Sequence, residues 1–190
     1  VKAALLEIAT GKTVASAFSP ADEMQILAPS AGFAEQDPMR WWQELIAATA
    51  RLQSQYAFSG SEVAAIGISY QMHGLVCVDK DLKPLRNSII WCDSRAVEIG
   101  NAAFSALGDE FCLERFLNSP GNFTASKLKW VKDNQPELYE RIYKIMLPGD
   151  FIAMMLTGKP ATTISGLSEG IFGKFRDSRA PTELLDHYGI

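Results

Sequence analysis

The chain has 190 residues, 47% of them hydrophobic, which is enough apolar surface for one domain or one large domain with an insertion. Its net charge of -4 at neutral pH, with Lys and Arg scattered along the sequence, argues against nucleic acid or an anionic membrane as partner and leaves small neutral or anionic ligands open. No run approaches the roughly 20 continuous apolar residues of a membrane span, and the start resembles no signal peptide. Three cysteines, Cys77, Cys92 and Cys112, are odd in number and lack metal-ligand spacing; two lie in apolar strand-like runs and read as buried thiols, which fits a reducing cytoplasm.

Val1 to Ile8 reads as a strand already under way, followed by the turn Thr10-Gly11-Lys12 and a second strand, Thr13 to Phe18. With no initiator Met, the pattern predicts that further sequence precedes Val1. After a loop from Pro20 to Gly32, Asp37 is placed to cap a helix that begins at Pro38, with Trp41, Leu45 and Leu52 as its apolar stripe and Trp42 and Ile46 beside it. Val63 to Ser69 reads as a buried strand, Leu75 to Val78 as its hairpin partner and Asn87 to Trp91 as a third run beyond the turn Asp79 to Pro84. That order predicts an α/β fold with a mixed sheet and flanking helices. From Ser94 onward helices are predicted over 96–107, 109–117, 125–134, 136–143 and 150–156, the last stopped by Gly158. This half is a helical insertion against the sheet. A short helix from Thr182 with a Gly stop ends the chain abruptly, so residues 1–190 are expected to form one domain of a longer protein.

Four clusters carry chemistry. Gln71-Met72-His73-Gly74 lies where a buried strand should end, and strand ends of open sheets are where ligands are held. An amide, a thioether and an imidazole make poor core there and a usable surface for a small polar molecule, a sugar above all; His73 is equally a residue that satisfies a buried polar neighbour. Trp91-Cys92-Asp93-Ser94-Arg95 joins an aromatic plate to a carboxylate and a guanidinium, the parts that pack on a sugar face and grip its hydroxyls. Asp93 is also an ordinary helix cap, with Arg95 as a surface partner. Ser119 to Trp130 is a glycine-containing loop opening a helix whose free N–H groups could face an oxygen-rich ligand or water. Thr162 to Gly170, dense in hydroxyls and glycines, is a further ligand loop or a plain turn.

In this order the clusters resemble the FGGY family of carbohydrate kinases, most closely its xylulose-phosphorylating branch. The residues that carry the resemblance are Val1-Lys2-Ala3, Glu35 to Pro38 with Trp41-Trp42, Gln71 to Gly74, Trp91 with Asp93 and Arg95, Phe123-Thr124-Ala125 with Lys127-Leu128 and Trp130, Leu147-Pro148 with Asp150, and Ser165 to Gly170. Asn122 departs from the family's first signature, which usually has an aromatic, Gly, Ser or Met there. The resemblance implies an actin-like ATPase domain (ribonuclease H-like fold), with residues 1–190 as the N-terminal, sugar-binding half of two domains that close over a cleft. It implies Met72, His73, Trp91, Asp93 and Asn122 as the substrate-binding residues, His73 bonding a hydroxyl and Trp91 packing on the carbon skeleton. ATP with Mg2+ would lie mainly on the other domain. No catalytic residue and no metal ligand is implied in this chain: the phosphate loop is expected before Val1 and the general base Asp beyond Ile190. Phosphorylation of D-xylulose at a primary hydroxyl is the activity implied, with ribulose, gluconate, fuculose or glycerol as other acceptors, or a non-enzymatic actin-like sugar sensor as the alternative. A homodimer is a further expectation.

Overall fold

In the computed structural model, which describes residues 1–175 and 179–190, the chain opens with an antiparallel hairpin of β1 (Lys2–Leu6) and β2 (Thr13–Phe18). Lys2 pairs with Phe18, a bulge falls between Leu5 and Leu6, and Gly11 makes the turn at φ 66°. Helix α1 (Pro38–Gln55) lies over this hairpin. Its start is set by chemistry local to the sequence: the Asp37 carboxylate accepts the Met39 N–H at 2.8 Å, and Pro38 occupies the first helical position, where a missing N–H costs nothing. Trp41, Ala48 and Leu52 turn inward as the helical spacing requires. Ile46, expected beside that stripe, is exposed, because five residues past Trp41 is about 140° further round the helix. The buried Glu44 is satisfied by Arg40 at 2.5 Å and the Ser19 hydroxyl at 2.6 Å.

A second layer is built from four short strands. β3 (Glu35–Gln36) pairs with β5 (Ser88–Ile89), and β4 (Val76–Val78) pairs with β6 (Lys144–Met146). A bridge between Leu75 and Ile89 joins the two pairs into the order β3-β5-β4-β6. The expected mixed sheet is therefore corrected: among the described residues the strand pairs are antiparallel. A second correction concerns Val63 to Ser69, which forms no ladder and leaves Ile66 67% exposed. A continuous apolar run signals a strand covered on both faces; no described strand pairs with this one. Alternation along the chain into β4 sorts the core. Val76 and Val78 join Trp41, Ile90, Met146, Phe151 and Met154, while Leu75 and Cys77 point the other way, onto Ile89, Leu128 and Val131.

Helices supply the rest. α2 (Val97–Leu107), α3 (Asp109–Phe116) and α4 (Thr124–Asn134) follow the predicted spans to within a residue. α5 (Pro136–Tyr139) is shorter than expected, because the chain leaves it to start β6, the Tyr143 N–H bonding to the Val78 carbonyl at 2.9 Å. α6 (Pro148–Thr157) ends at Gly158 and α8 (Thr182–Tyr188) at Gly189, both glycines left-handed. Between them, the hydroxyl-rich run forms α7 (Ile164–Glu169), capped by the Thr163 hydroxyl, which accepts the Gly166 N–H at 2.9 Å. A third core gathers Ala103, Cys112, Phe116, Ala125, Ile171, Leu184 and Tyr188. The buried thiols are Cys77 and Cys112; Cys92, on the turn after β5, is exposed. No described helix is long and apolar enough to cross a membrane.

Candidate functional site

Two turns at the ends of the sheet strands carry most of the candidate residues. The first is Gln71 to Gly74, leading into β4. Here His73 adopts φ 58°, in the left-handed region that costs a residue with a side chain roughly 1–2 kcal/mol. Its peptide groups are held from both directions. The His73 N–H donates to Glu169 Oε1 at 2.5 Å, and the His73 carbonyl accepts from Lys127 Nζ at 2.7 Å. The imidazole tilts against Phe123, centroids 4.1 Å apart. Its Nδ1 is buried and sits 3.4 Å from Glu169 Oε1, an electrostatic contact whose geometry makes no hydrogen bond. Gly74 is required by packing, since a Cβ there would lie 2.5 Å from the Pro148 ring.

The second turn, Trp91 to Arg95, follows β5. Trp91 and Met72 both face outward, 57% and 56% exposed, and the Trp91 N–H reaches Gln71 Oε1 at 3.3 Å, tying the two turns together. Asp93 is fully buried. Its carboxylate accepts from Ala34 N–H at 2.5 Å, from Arg95 N–H at 2.9 Å and from the Arg95 guanidinium at 2.7–3.0 Å. Arg95 is not on the surface, as its reading as a helix-flanking partner would have it. It packs against the rings of Phe33 and Trp130, 3.7 and 4.7 Å from their centroids, where the two rings meet edge to face, and bonds Glu35 at 2.8 Å. The carboxylate of Asp93 thus fastens the turn, and its main-chain carbonyl is the part that meets the third element.

That element is the loop before α4. Asn122 Nδ2 donates to the Asp93 carbonyl and, at 3.3 Å, to the Trp91 carbonyl, leaving Oδ1 buried without a partner. Two carbonyls as neighbours require the nitrogen on that side, so the free atom is the acceptor. The start of α4 is less open than its sequence suggests: the Ala125 N–H is taken by the Gly170 carbonyl at 3.1 Å. Four of the five candidates, His73, Trp91, Asp93 and Asn122, are linked by direct contacts or through Gln71 and Phe123; Met72 stands beside His73 on the open face.

Two further residues build this site, both within stretches that carry the family resemblance and neither among the expected substrate-binding residues. Lys127 is fully buried, its ammonium on the carbonyls of His73 and, at 3.0 Å, Ile90. Burial pushes its pKa down to about 8, while the nearby Asp93 carboxylate opposes the shift. The visible signal was its spacing, four residues before the buried Val131 on the apolar side of α4. Glu169 ends α7 and also accepts from the Tyr70 hydroxyl at 3.3 Å. Burial raises its carboxyl, but the nearby His73 ring, the His73 N–H and the Tyr70 hydroxyl outweigh that and hold it below the ordinary Glu range. Nothing in the hydroxyl-rich run pointed to this carboxylate. Among the described residues no group of three His, Cys, Asp or Glu side chains is placed to hold a metal.

Over residues 1–190 the sequence matches the model of the FGGY family of carbohydrate kinases, N-terminal domain. The chain belongs to this family. It is 33% identical over 163 residues to the xylulose kinase of Staphylococcus xylosus, covering 85% of this chain and 33% of that protein. Its fold superposes on a solved xyloylose kinase from Brucella ovis with TM-score 0.88 at 29% identity, covering 100% of this chain and 38% of that one. A gluconate kinase from Lactobacillus acidophilus gives TM-score 0.84 at 26% identity, with 100% and 37% covered. The chain spans about a third of the length of the curated relative it matches. Within this FGGY chain, the signature-like stretch from Asn122 to Trp130 is the loop and first turns of α4, which explains its mixture of a half-buried amide, a buried lysine and a tryptophan packed on Phe33 and Arg95.

Proposed function

We propose that the protein containing this chain transfers the γ-phosphoryl group of ATP to a primary hydroxyl of a small sugar, D-xylulose first. Residues 1–190 would be the sugar-binding domain of an actin-like, ribonuclease H-like kinase whose remaining two-thirds supplies most of the nucleotide site. The observation that carries this reading is the buried Asn122 Oδ1, left without a partner beside two joined strand-end turns, together with His73 Nδ1, which is buried and has only the 3.4 Å electrostatic contact with Glu169. Buried polar groups are rarely left unpaired without a ligand or water to complete them. The identity to xylulose kinases supplies the substrate class.

On this reading His73 and Asn122 bond sugar hydroxyls, while Met72 and Trp91 wall the carbon skeleton, giving an apolar surface with few, placed polar groups. Asp93 contributes by fixing the turn that presents Trp91 and Asn122. These residues act by orientation: holding the acceptor hydroxyl in line with the phosphoryl group turns an encounter into an intramolecular step, and excluding water prevents hydrolysis of ATP. The phosphate loop and the general base Asp are assigned to sequence outside 1–190, so none of the residues here takes the hydroxyl proton. Among the described residues no group of three ligating side chains would hold Mg2+ by itself, and an ion serving the phosphates would arrive with the nucleotide. Three free thiols fit a cytoplasmic enzyme.

A gluconate-directed pocket is the second reading, favoured by the likeness to the Lactobacillus acidophilus enzyme. A panel of D-xylulose, D-ribulose, gluconate, fuculose and glycerol, assayed with the full-length protein for ADP release and sugar phosphate, decides between them. The expected result is the highest kcat/KM with D-xylulose. Absence of phosphate transfer to every acceptor overturns the kinase reading, and sugar binding without transfer would mark a sensor.

A further inference from the structure

Resting on that reading, we infer that Lys127 and Glu169 are positioning residues for the sugar site, clamping the His73 peptide groups from opposite sides and so setting the direction of its ring. Lys127 acts on main chain alone, whereas Glu169 accepts the His73 N–H and also lies 3.4 Å from the ring nitrogen Nδ1. Glu169, from the end of α7, accepts the His73 N–H, and Lys127, from α4, donates to the His73 carbonyl. A non-glycine residue at φ 58° reverts to ordinary backbone unless its surroundings hold it, and such conformations persist only where several contacts determine them. Here the two contacts that determine it are charged groups from two separate helices.

Lys127 does more than hold one residue. Its second bond, to the Ile90 carbonyl, ties the strand end that leads into Trp91 to the turn that carries His73. One fully buried ammonium thus sets the spacing between the proposed hydrogen-bonding and stacking walls of the pocket. A lysine kept only for packing would be served as well by Met, which fills the same volume without the cost of burying a charge. The lowered carboxyl of Glu169 agrees with a charge held in place by this geometry, whereas burial works against the Lys127 ammonium and its two carbonyl partners work for it.

The test uses the full-length protein with Lys127→Met, Glu169→Ala and the conservative Glu169→Gln, whose amide oxygen still accepts the His73 N–H. Folding is checked by circular dichroism and thermal unfolding. Lys127→Met and Glu169→Ala are expected to raise the sugar KM about tenfold or more, with the ATP KM within about twofold and kcat within about threefold, the pattern for loss of uniform binding. Glu169→Gln should keep the sugar KM within about threefold. A sugar KM within about twofold of the wild type in folded Lys127→Met or Glu169→Ala overturns the positioning role. So does failure of both variants to fold, which would make the pair a stability element. If the wild-type protein phosphorylates no sugar, the kinase reading itself falls and this inference with it; an active wild type with unaffected variants removes the clamp alone.

Discussion

Asn122 is the residue at which substrate choice is most open to test, because its amide nitrogen is bound to two main-chain carbonyls while its oxygen is buried and free. An acceptor fixed from behind recognises a hydroxyl in one configuration and leaves a sugar with the opposite configuration unpaired. Asn122→Gly is therefore expected to change the ratio of kcat/KM between D-xylulose and gluconate by roughly tenfold, the order of one hydrogen bond, without abolishing turnover. An unchanged ranking across the sugar panel would show that the oxygen does not meet substrate. Asp93 illustrates what single-residue reading resolves less well. Its carboxylate and the Arg95 guanidinium suit a sugar grip or a structural pair equally, and only the direct bonds between them at 2.7–3.0 Å show that the two are bound to each other. The place of Lys127 and Glu169 in the site is not legible in the sequence for a related reason: their partners are main-chain groups 54 and 96 residues away, and no local spacing encodes a carbonyl or an N–H.

At the scale of elements, close backbone approaches place the loops that carry the site. Gly100 in α2 faces the backbone of Gly121, where an added Cβ would lie 2.2 Å from the carbonyl oxygen and 2.4 Å from the nitrogen. Gly149 in α6 lies against the Tyr70 ring, 2.0 Å from such a Cβ. Replacing an interior helix glycine by Ala ordinarily stabilises by about 1 kcal/mol. Overpacking against main chain costs on the order of 1–3 kcal/mol or more, and an approach as close as 2.2 Å sits at the upper end. The clash should win, so Gly100→Ala is expected to lower the unfolding temperature by several degrees, read by calorimetry; a higher one would mean that α2 and the Asn122 loop are not in contact. The helices were legible because their signals are local: Asp37 and Pro38 start α1, and Gly158 and Gly189 stop α6 and α8. The strand expected at Val63 to Ser69 was not, since an apolar run reports a tendency to be covered and a ladder depends on a partner the run does not name. α7 was masked by its composition, Ser and Gly being turn formers until a Thr163 cap and packing against the His73 turn favour a helix.

Over the whole molecule, a shallow set of short antiparallel strands is enclosed by helices, and the turns at the strand ends are gathered by contacts from α4 and α7. The family assignment rests on the full length of the chain, whereas the proposed sugar site rests on four linked residues and their supports. A net charge of -4 is compatible with a neutral ketose, which the pocket would recognise by hydrogen bonds and a stacked ring instead of by charge. The central claim is that this domain binds the phosphoryl acceptor through His73. The most direct measurement is steady-state ADP release by the full-length protein with D-xylulose, comparing the wild type with His73→Ala. Removing one buried hydrogen-bonding partner of a hydroxyl is worth on the order of 1–3 kcal/mol, so kcat/KM for the sugar should fall about tenfold or more while the KM for ATP stays within about twofold. A folded His73→Ala protein whose sugar kcat/KM remains within about twofold of the wild type would contradict the account.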